Sequence, residues 1–263
     1  IGHQYLFLHR DFGFPAKSRC GLWLLRFFTR LTCIGASQKL ALSFREMEDD
    51  ERARIRVVPP LLRREVLSCE SVEGDYLHGY MVNAGFGENI KAWHREHPEV
   101  PLHFFWDKQD EAEGVSFGLK LKNTPKEEIL PKVDDTLSFH QIDDMKFLHY
   151  MAGCRAYATT AGFESVCEAM YLGKPLLMVP AHIEQDCNAY DAARTGAGVV
   201  SDEFDLRRLL NFSENYRPDA HFRYWVQSCD RRIMHHIEAA MCLSHYPSPA
   251  FPYPCCSLSD VAL

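Results

Sequence analysis

Between Tyr157 and Asn188 the chain reads YATTAGFESVCEAMYLGKPLLMVPAHIEQDCN, and this stretch restricts the fold more than any other. A short run ending at Thr160 meets the small-residue turn Ala161-Gly162. A helix is expected from Glu164 to Leu172, closed by Gly173, and a buried strand from Pro175 to Val179 follows. After Pro180 comes a polar loop, His182-Ile183-Glu184-Gln185. Strand, tight turn, helix and strand in this order belong to a parallel sheet. The open N–H groups at the helix start and the helix dipole both favour an anion.

Thr160, Gly162, Phe163, Glu164 and Ser165 are therefore the candidate diphosphate-binding residues. Hydroxyls, backbone N–H groups and a helix N-terminus converge there, and a diphosphate needs several donors at once. The competing explanation for Thr160 and Ser165 is ordinary helix capping. Glu168, four residues after Glu164, offers a carboxylate to vicinal ribose hydroxyls. Glu184 and Gln185 suit sugar hydroxyls, with simple loop polarity as the alternative, and Asn188 reads as a cap or loop brace. A second phosphate-facing turn is offered by Gly85 and Gly87, which fit an ordinary strand-to-helix loop equally well.

Strands and helices alternate on either side of this stretch. Strands are expected at 76–82, 101–106, 137–141, 156–160 and 197–200, with weak ones at 115–121. Helices are expected up to Glu96 and over 143–151, 185–195, 203–212 and 218–243. This is the pattern of an α/β domain with a Rossmann-like parallel sheet covered on both faces. Upstream, strands are expected at Tyr5–Leu8, Lys39–Phe44 and Ile55–Val58, with a helix over 18–32. Pro59-Pro60 and the polar run that follows break the pattern as a linker would.

Net charge is −7 and no long Lys/Arg block occurs, so nucleic acid is not an expected partner. The ten cysteines show no CxxC or metal-ligand spacing, so no metal or cofactor site is expected. Free thiols in a reduced, cytoplasmic setting fit that usage. No apolar run reaches the roughly 18 residues that span a bilayer. Lys17 to Leu31 mixes basic residues with Trp, Phe and Leu. It fits either a helix lying on a membrane surface or a core helix with solvated basic edges. Histidines are dispersed; His140 at a strand end and His3 near a domain edge fit structural roles as well as cleft-facing ones.

The residues Thr159 to Ala169, then Gly173-Lys174-Pro175, Pro180, Glu184-Gln185 and Asn188-Ala189, resemble the carboxyl-terminal donor-binding half of GT-B glycosyltransferases. The nearest subtypes by this resemblance are UDP-glycosyltransferases and the N-acetylglucosaminyltransferase that makes lipid II. The resemblance implies a GT-B fold: a Rossmann-like donor domain plus the tail end of a second Rossmann-like domain. It divides the chain into an acceptor-domain remnant (1–66), a linker (67–74), a donor domain (75–215), a terminal helix (216–245) and a loose tail (246–263). It implies a nucleotide-sugar donor, UDP first, and an acceptor hydroxyl on a lipid or glycan. Transfer would invert, without metal or cofactor, in the cytoplasm or peripherally at the inner face of a membrane. Backbone near Ile142 would meet the base, and the general base would lie in an amino-terminal part missing from a truncated chain. Relatives carry His, Gly and Asn where this chain has Thr160, Ala161 and Glu164. The alternatives are a nucleotide-sugar 2-epimerase and a non-catalytic nucleotide-sugar binding module.

Overall fold

The computed structural model describes residues 1–17, 19–82, 84–106 and 136–245, without the side chains of 84 and 242–245. The expected weak strands at 115–121 and the tail 246–263 lie outside the described residues. Among the described residues, six parallel strands form the main sheet. Three of them are β3 (Leu77–Met81), β4 (Leu102–Trp106) and β5 (Leu137–Gln141). The others are β6 (Ala156–Thr159), β7 (Leu176–Met178) and β8 (Gly198–Val200). Their spatial order is β5-β4-β3-β6-β7-β8, with Tyr80 opposite Thr159 and Thr159 opposite Met178. Renumbered from β3, this is the 3-2-1-4-5-6 order of dinucleotide-binding sheets, whose strand order reverses between β3 and β6.

Alternate strand residues feed two apolar layers, as a pleat with period two requires. Phe105, Tyr157, Leu176 and Met178 enter one layer, while Phe104, Ala156, Ala158 and Leu177 enter the other. Helices α4 (Asp144–Gly153) and α5 (Phe163–Tyr171) contribute Phe147, Met151 and Val166 to the first layer. Helices α3 (Gly87–Glu96) and α7 (Leu206–Asn215) contribute Ile90, Leu206 and Leu209 to the second. Every residue of β6 and β7 is buried, which is why both read as short apolar runs without alternation.

The amino-terminal segment adds a two-stranded parallel sheet, β1 (Lys39–Leu42) with β2 (Ile55–Val58). Its core residues Leu6, Phe7, Phe44 and Ile55 belong to the same apolar layer as Tyr157 and Val166. The expected strand at Tyr5–Leu8 is instead a 3-10 turn over His3–Leu8. Burial of His3, Leu6 and Phe7 follows a turn of about three residues, and a strand would bury every second side chain.

Other boundaries shift for local reasons. A short helix, α2 (Arg64–Leu67), opens the stretch read as a linker. The expected helix at 218–243 is two, α8 (Ala220–Gln227) and α9 (Cys229–His245), parted at Ser228. The Ser228 hydroxyl donates to the Trp225 carbonyl at 2.7 Å there. The polar loop at 182–185 largely forms the first turn of α6 (Ile183–Arg194), after the N-cap His182.

Helix α1 (Arg19–Thr32) lies where a helix was expected, yet it is not a core helix. Leu22 and Leu25 pack on the first apolar layer and Thr29 is buried, while Trp23, Leu24, Phe27, Phe28 and Leu31 are exposed. Among the described residues the cysteines carry free thiols, and no helix is long and apolar enough to cross a membrane.

Candidate functional site

The carboxyl edge of the main sheet carries the site, at the reversal between β3 and β6, where open α/β sheets bind ligands. The chain leaves β6 through Thr160 and Ala161 and enters α5 at Gly162. Ala161 has φ +63°, the left-handed conformation that glycine adopts freely and alanine holds at about 1 kcal/mol. Its carbonyl accepts from Asn188 Nδ2 at 3.1 Å, and Asn188 Oδ1 lies 3.0 Å from His3 Nε2. His3 Nδ1 donates in turn to the Leu42 carbonyl at 2.8 Å, and its ring stacks on Phe163 with centroids 3.8 Å apart. Burial holds the His3 pKa down at about 4. Asn188 therefore braces the strained turn, in keeping with its reading as a cap or loop brace, and His3, whose role the sequence left open, packs on Phe163 beside it.

Gly162 occupies the N-cap of α5 and no side chain caps the helix. Capping by Thr160 or Ser165, the competing sequence explanation, does not occur. The Ser165 hydroxyl donates to the Gly162 carbonyl at 3.3 Å. Thr160 is fully buried, and its hydroxyl has no hydrogen-bond partner among the described residues. Among the described residues no side-chain acceptor takes the first-turn N–H groups of α5, the arrangement that receives anions. A Cβ on Gly162 would meet nothing closer than Ser165 Oγ at 3.7 Å, so a ligand can reach this backbone.

A cavity of about 430 Å³ opens beside this helix start. Ile142, Glu164, Ser165 and Glu168 line it together with Arg63, Tyr80 and Phe147. Four of the sequence-derived site residues are thereby brought to one space of nucleotide size. Glu164, with its side chain exposed, sits at the rim. The others lie elsewhere along the edge. Phe163 turns its ring toward His3 and Phe44, and Gly85 and Gly87 follow β3 without lining the cavity. Glu184 and Gln185 begin α6 after β7, and buried Gln185 accepts from the Ala181 N–H at 2.9 Å. His140, on β5, stands 3.3 Å from His103 Nδ1 on the face covered by Tyr150, away from the cavity.

Arg63 is the residue that the sequence reading missed. It follows Pro59-Pro60-Leu61-Leu62, and its guanidinium grips Glu168 with two bonds, Nε to Oε1 at 2.7 Å and Nη2 to Oε2 at 3.2 Å. Glu168 is only 7% exposed. Burial pushes its carboxyl above the usual range, and Arg63 pulls in the opposite direction with the weaker hand. An arginine beside a proline-rich break was the only sequence signal available for this contact.

Larger hollows exist elsewhere. One of about 590 Å³ lies at the amino edge of the sheet, where Arg155 and Lys174 precede β6 and β7. Lys174 is already committed there, donating to the carbonyls of Val72 and Cys154 at 2.6 and 2.8 Å. Position relative to the strands, not volume, selects the carboxyl-edge cavity.

The sequence pattern that defines glycosyl transferase family 1 matches residues 14–216, which takes in the turn, the cavity and Arg63. The chain belongs to glycosyl transferase family 1. Solved structures similar to this family member include the glycotransferase of kitacinnamycin, at 15% identity and TM-score 0.49, covering 84% of this chain and 60% of that one. Spinosyn forosaminyltransferase is similar at 14% identity and TM-score 0.46, over 91% of this chain and 66% of that one. Spinosyn rhamnosyltransferase complexed with thymidine diphosphate is similar at 13% identity and TM-score 0.45, over 80% and 57%. The chain spans about 60% of the length of these proteins. No curated protein sequence matches the family member significantly.

Proposed function

We propose that this glycosyltransferase-family chain carries the donor half of an inverting, GT-B type transferase. The donor is a nucleoside diphosphate sugar, UDP first, and the transferred unit is a hexosyl or N-acetylhexosaminyl group. The observation that carries the proposal is the uncapped start of α5 opening on a cavity lined by Ser165, Glu168 and Ile142. In the transfer, an acceptor hydroxyl oxygen bonds to the anomeric carbon while the bond from that carbon to the diphosphate breaks. The leaving diphosphate takes the electron pair, a general base takes the acceptor proton, and the α5 N–H groups meet the developing charge. Thr160, Gly162, Phe163, Glu164 and Ser165 would form the diphosphate turn, Glu168 would hold the ribose, and Ile142 would face the base. Glu184 and Gln185 would reach the sugar, and Gly85 and Gly87 would form a second phosphate-facing turn.

Arg63 gives this assignment a specific consequence. Arg63 takes one acceptor site on each Glu168 oxygen and leaves one on each for ribose hydroxyls, while the donor diphosphate would offer Arg63 a competing anion. Acceptor classes are a lipid or a glycan hydroxyl, met in the cytoplasm or peripherally at the inner face of a membrane. The division into acceptor-domain remnant, linker and donor domain belongs to the same proposal.

Calorimetric titration with UDP, UDP-N-acetylglucosamine and a dTDP-sugar tests the reading. Failure of every nucleotide diphosphate to bind would overturn it. Glu168→Ala should weaken binding of the recognised nucleotide by about 1–3 kcal/mol, the range for losing hydrogen bonds to a charged group. Unchanged affinity would remove Glu168 from the ribose. Product formed without any acceptor would favour the 2-epimerase reading, and tight binding without turnover in the presence of acceptors would favour the binding module.

A further inference from the structure

Helix α1 (Arg19–Thr32) has two apolar stripes and the fold uses one. Leu22, Leu25 and Thr29 face the protein. Trp23, Leu24, Phe27, Phe28, Leu31 and, just beyond the helix, Ile34 recur at spacings of three and four and are 62, 45, 41, 56, 45 and 79% exposed. On a helical wheel they fall within one continuous sector. The Trp23 and Phe27 rings stack within it, 5.4 Å apart and nearly parallel. A soluble surface scatters such residues singly and does not align them.

The charge around this stripe is as one-sided as its hydrophobicity. From Phe12 to Arg45 the chain has no Asp or Glu and six cations, Lys17, Arg19, Arg26, Arg30, Lys39 and Arg45, in a protein of net charge −7. Lys17 is engaged with Asp186 and Asp202, and Arg45 with Asp191. Arg19, Arg26 and Arg30 fall together along one edge of the exposed stripe, and Arg19 and Arg30 are themselves exposed. An antiparallel pairing with a second copy of the chain would set this basic edge against itself. A surface of anionic headgroups over acyl chains meets both features at once.

We propose that the Trp23–Ile34 face of α1 docks on an anionic phospholipid bilayer, lying in the interface with Arg19 and Arg30 at headgroup level. At 14 residues the helix is about 21 Å long, too short to span and suited to lie flat. The inference deepens the peripheral location proposed above, resting on that reading for the site of the reaction alone, and it places an acceptor carried in the membrane on the amino-terminal side of the donor cavity.

Vesicle flotation tests it, with phosphatidylcholine alone and with about a third phosphatidylglycerol. The full chain should float with the anionic vesicles at least tenfold more than with the neutral ones, and added salt should weaken the effect. Trp23→Ser/Phe27→Ser and Arg19→Glu/Arg30→Glu, all at exposed positions, should each reduce flotation about tenfold or more while circular dichroism stays unchanged. Wild-type protein that floats with neither vesicle overturns the proposal, as does full flotation of either double variant. Concentration-dependent dimerisation abolished by Trp23→Ser/Phe27→Ser would instead assign the face to a second copy and also overturn it. Nucleotide titration on the same samples separates this outcome from failure of the donor-site reading.

Discussion

Removing Arg63 is the most informative perturbation of the site. Glu168 is almost fully buried, and both its oxygens are held by one guanidinium whose own side chain is 28% exposed. Arg63→Ala leaves the carboxylate without a cation. Breaking a fully buried pair costs about 3–5 kcal/mol, and water admitted through the vacated arginine lowers this to about 2–3 kcal/mol. The sign of the pH dependence follows from the carboxyl being raised by burial. A raised carboxyl contributes stability while protonated and loses it as pH rises through the folded-state pKa. Without Arg63 the carboxyl rises further. Urea denaturation should therefore find Arg63→Ala close to wild type near about pH 4.5, with the deficit opening toward about pH 7. Arg63→Ala/Glu168→Gln should recover most of that loss at neutral pH, because a neutral amide has no charge to desolvate. A loss below about 0.5 kcal/mol at neutral pH, or one equal at both pH values, refutes the argument.

Two further outcomes follow from buried chemistry. His78 is fully buried, its Nδ1 donating to the His103 carbonyl at 3.2 Å, with its ring packed among Phe105, Phe147 and Tyr157, and burial holds its pKa at about 3. Its neutral form is the folded one, so stability is complete above about pH 6.5 and falls as pH drops from there toward about 3. At about pH 5 the loss is about 2 kcal/mol for this residue, and His78→Phe should flatten the slope of urea midpoint against pH; an unaltered slope refutes the assignment. Gly173 closes α5 at φ +73°, and a Cβ there would meet the Pro218 ring at 3.1–3.2 Å. Gly173→Ala should cost about 2 kcal/mol in the same assay, combining left-handed strain with a contact against a rigid ring, and a neutral result would show that the Pro218 loop yields.

Strands β6 and β7 were legible because they are buried on both faces, which leaves short continuous apolar runs between polar breaks. Ile55–Val58 and Leu137–Gln141 emerge at their expected bounds. Tyr5–Leu8 was misread for the same reason: four apolar residues in a row carry no period, and a 3-10 turn buries them as readily as a strand. At the cavity, Glu164, Ser165 and Glu168 were legible because a single helix turn sets their spacing. Arg63 was not, since its partner lies 105 residues away and only the fold brings the two together. For α1 the sequence disclosed a helix of basic edges and apolar faces, and only packing decides which face the core takes.

These separate limits meet at one electrostatic fact. The cavity lining carries Asp144, Glu164 and Glu168 against the single cation Arg63 among the described residues. On the proposed reading a diphosphate entering this space is met by neutral N–H dipoles and by that one guanidinium. A diphosphate that draws Arg63 to itself binds at the expense of the Arg63–Glu168 pair. That coupling links a stability measurement to a binding one: a ligand that takes Arg63 should protect the fold less in Arg63→Ala than in the wild type, at equal ligand concentration.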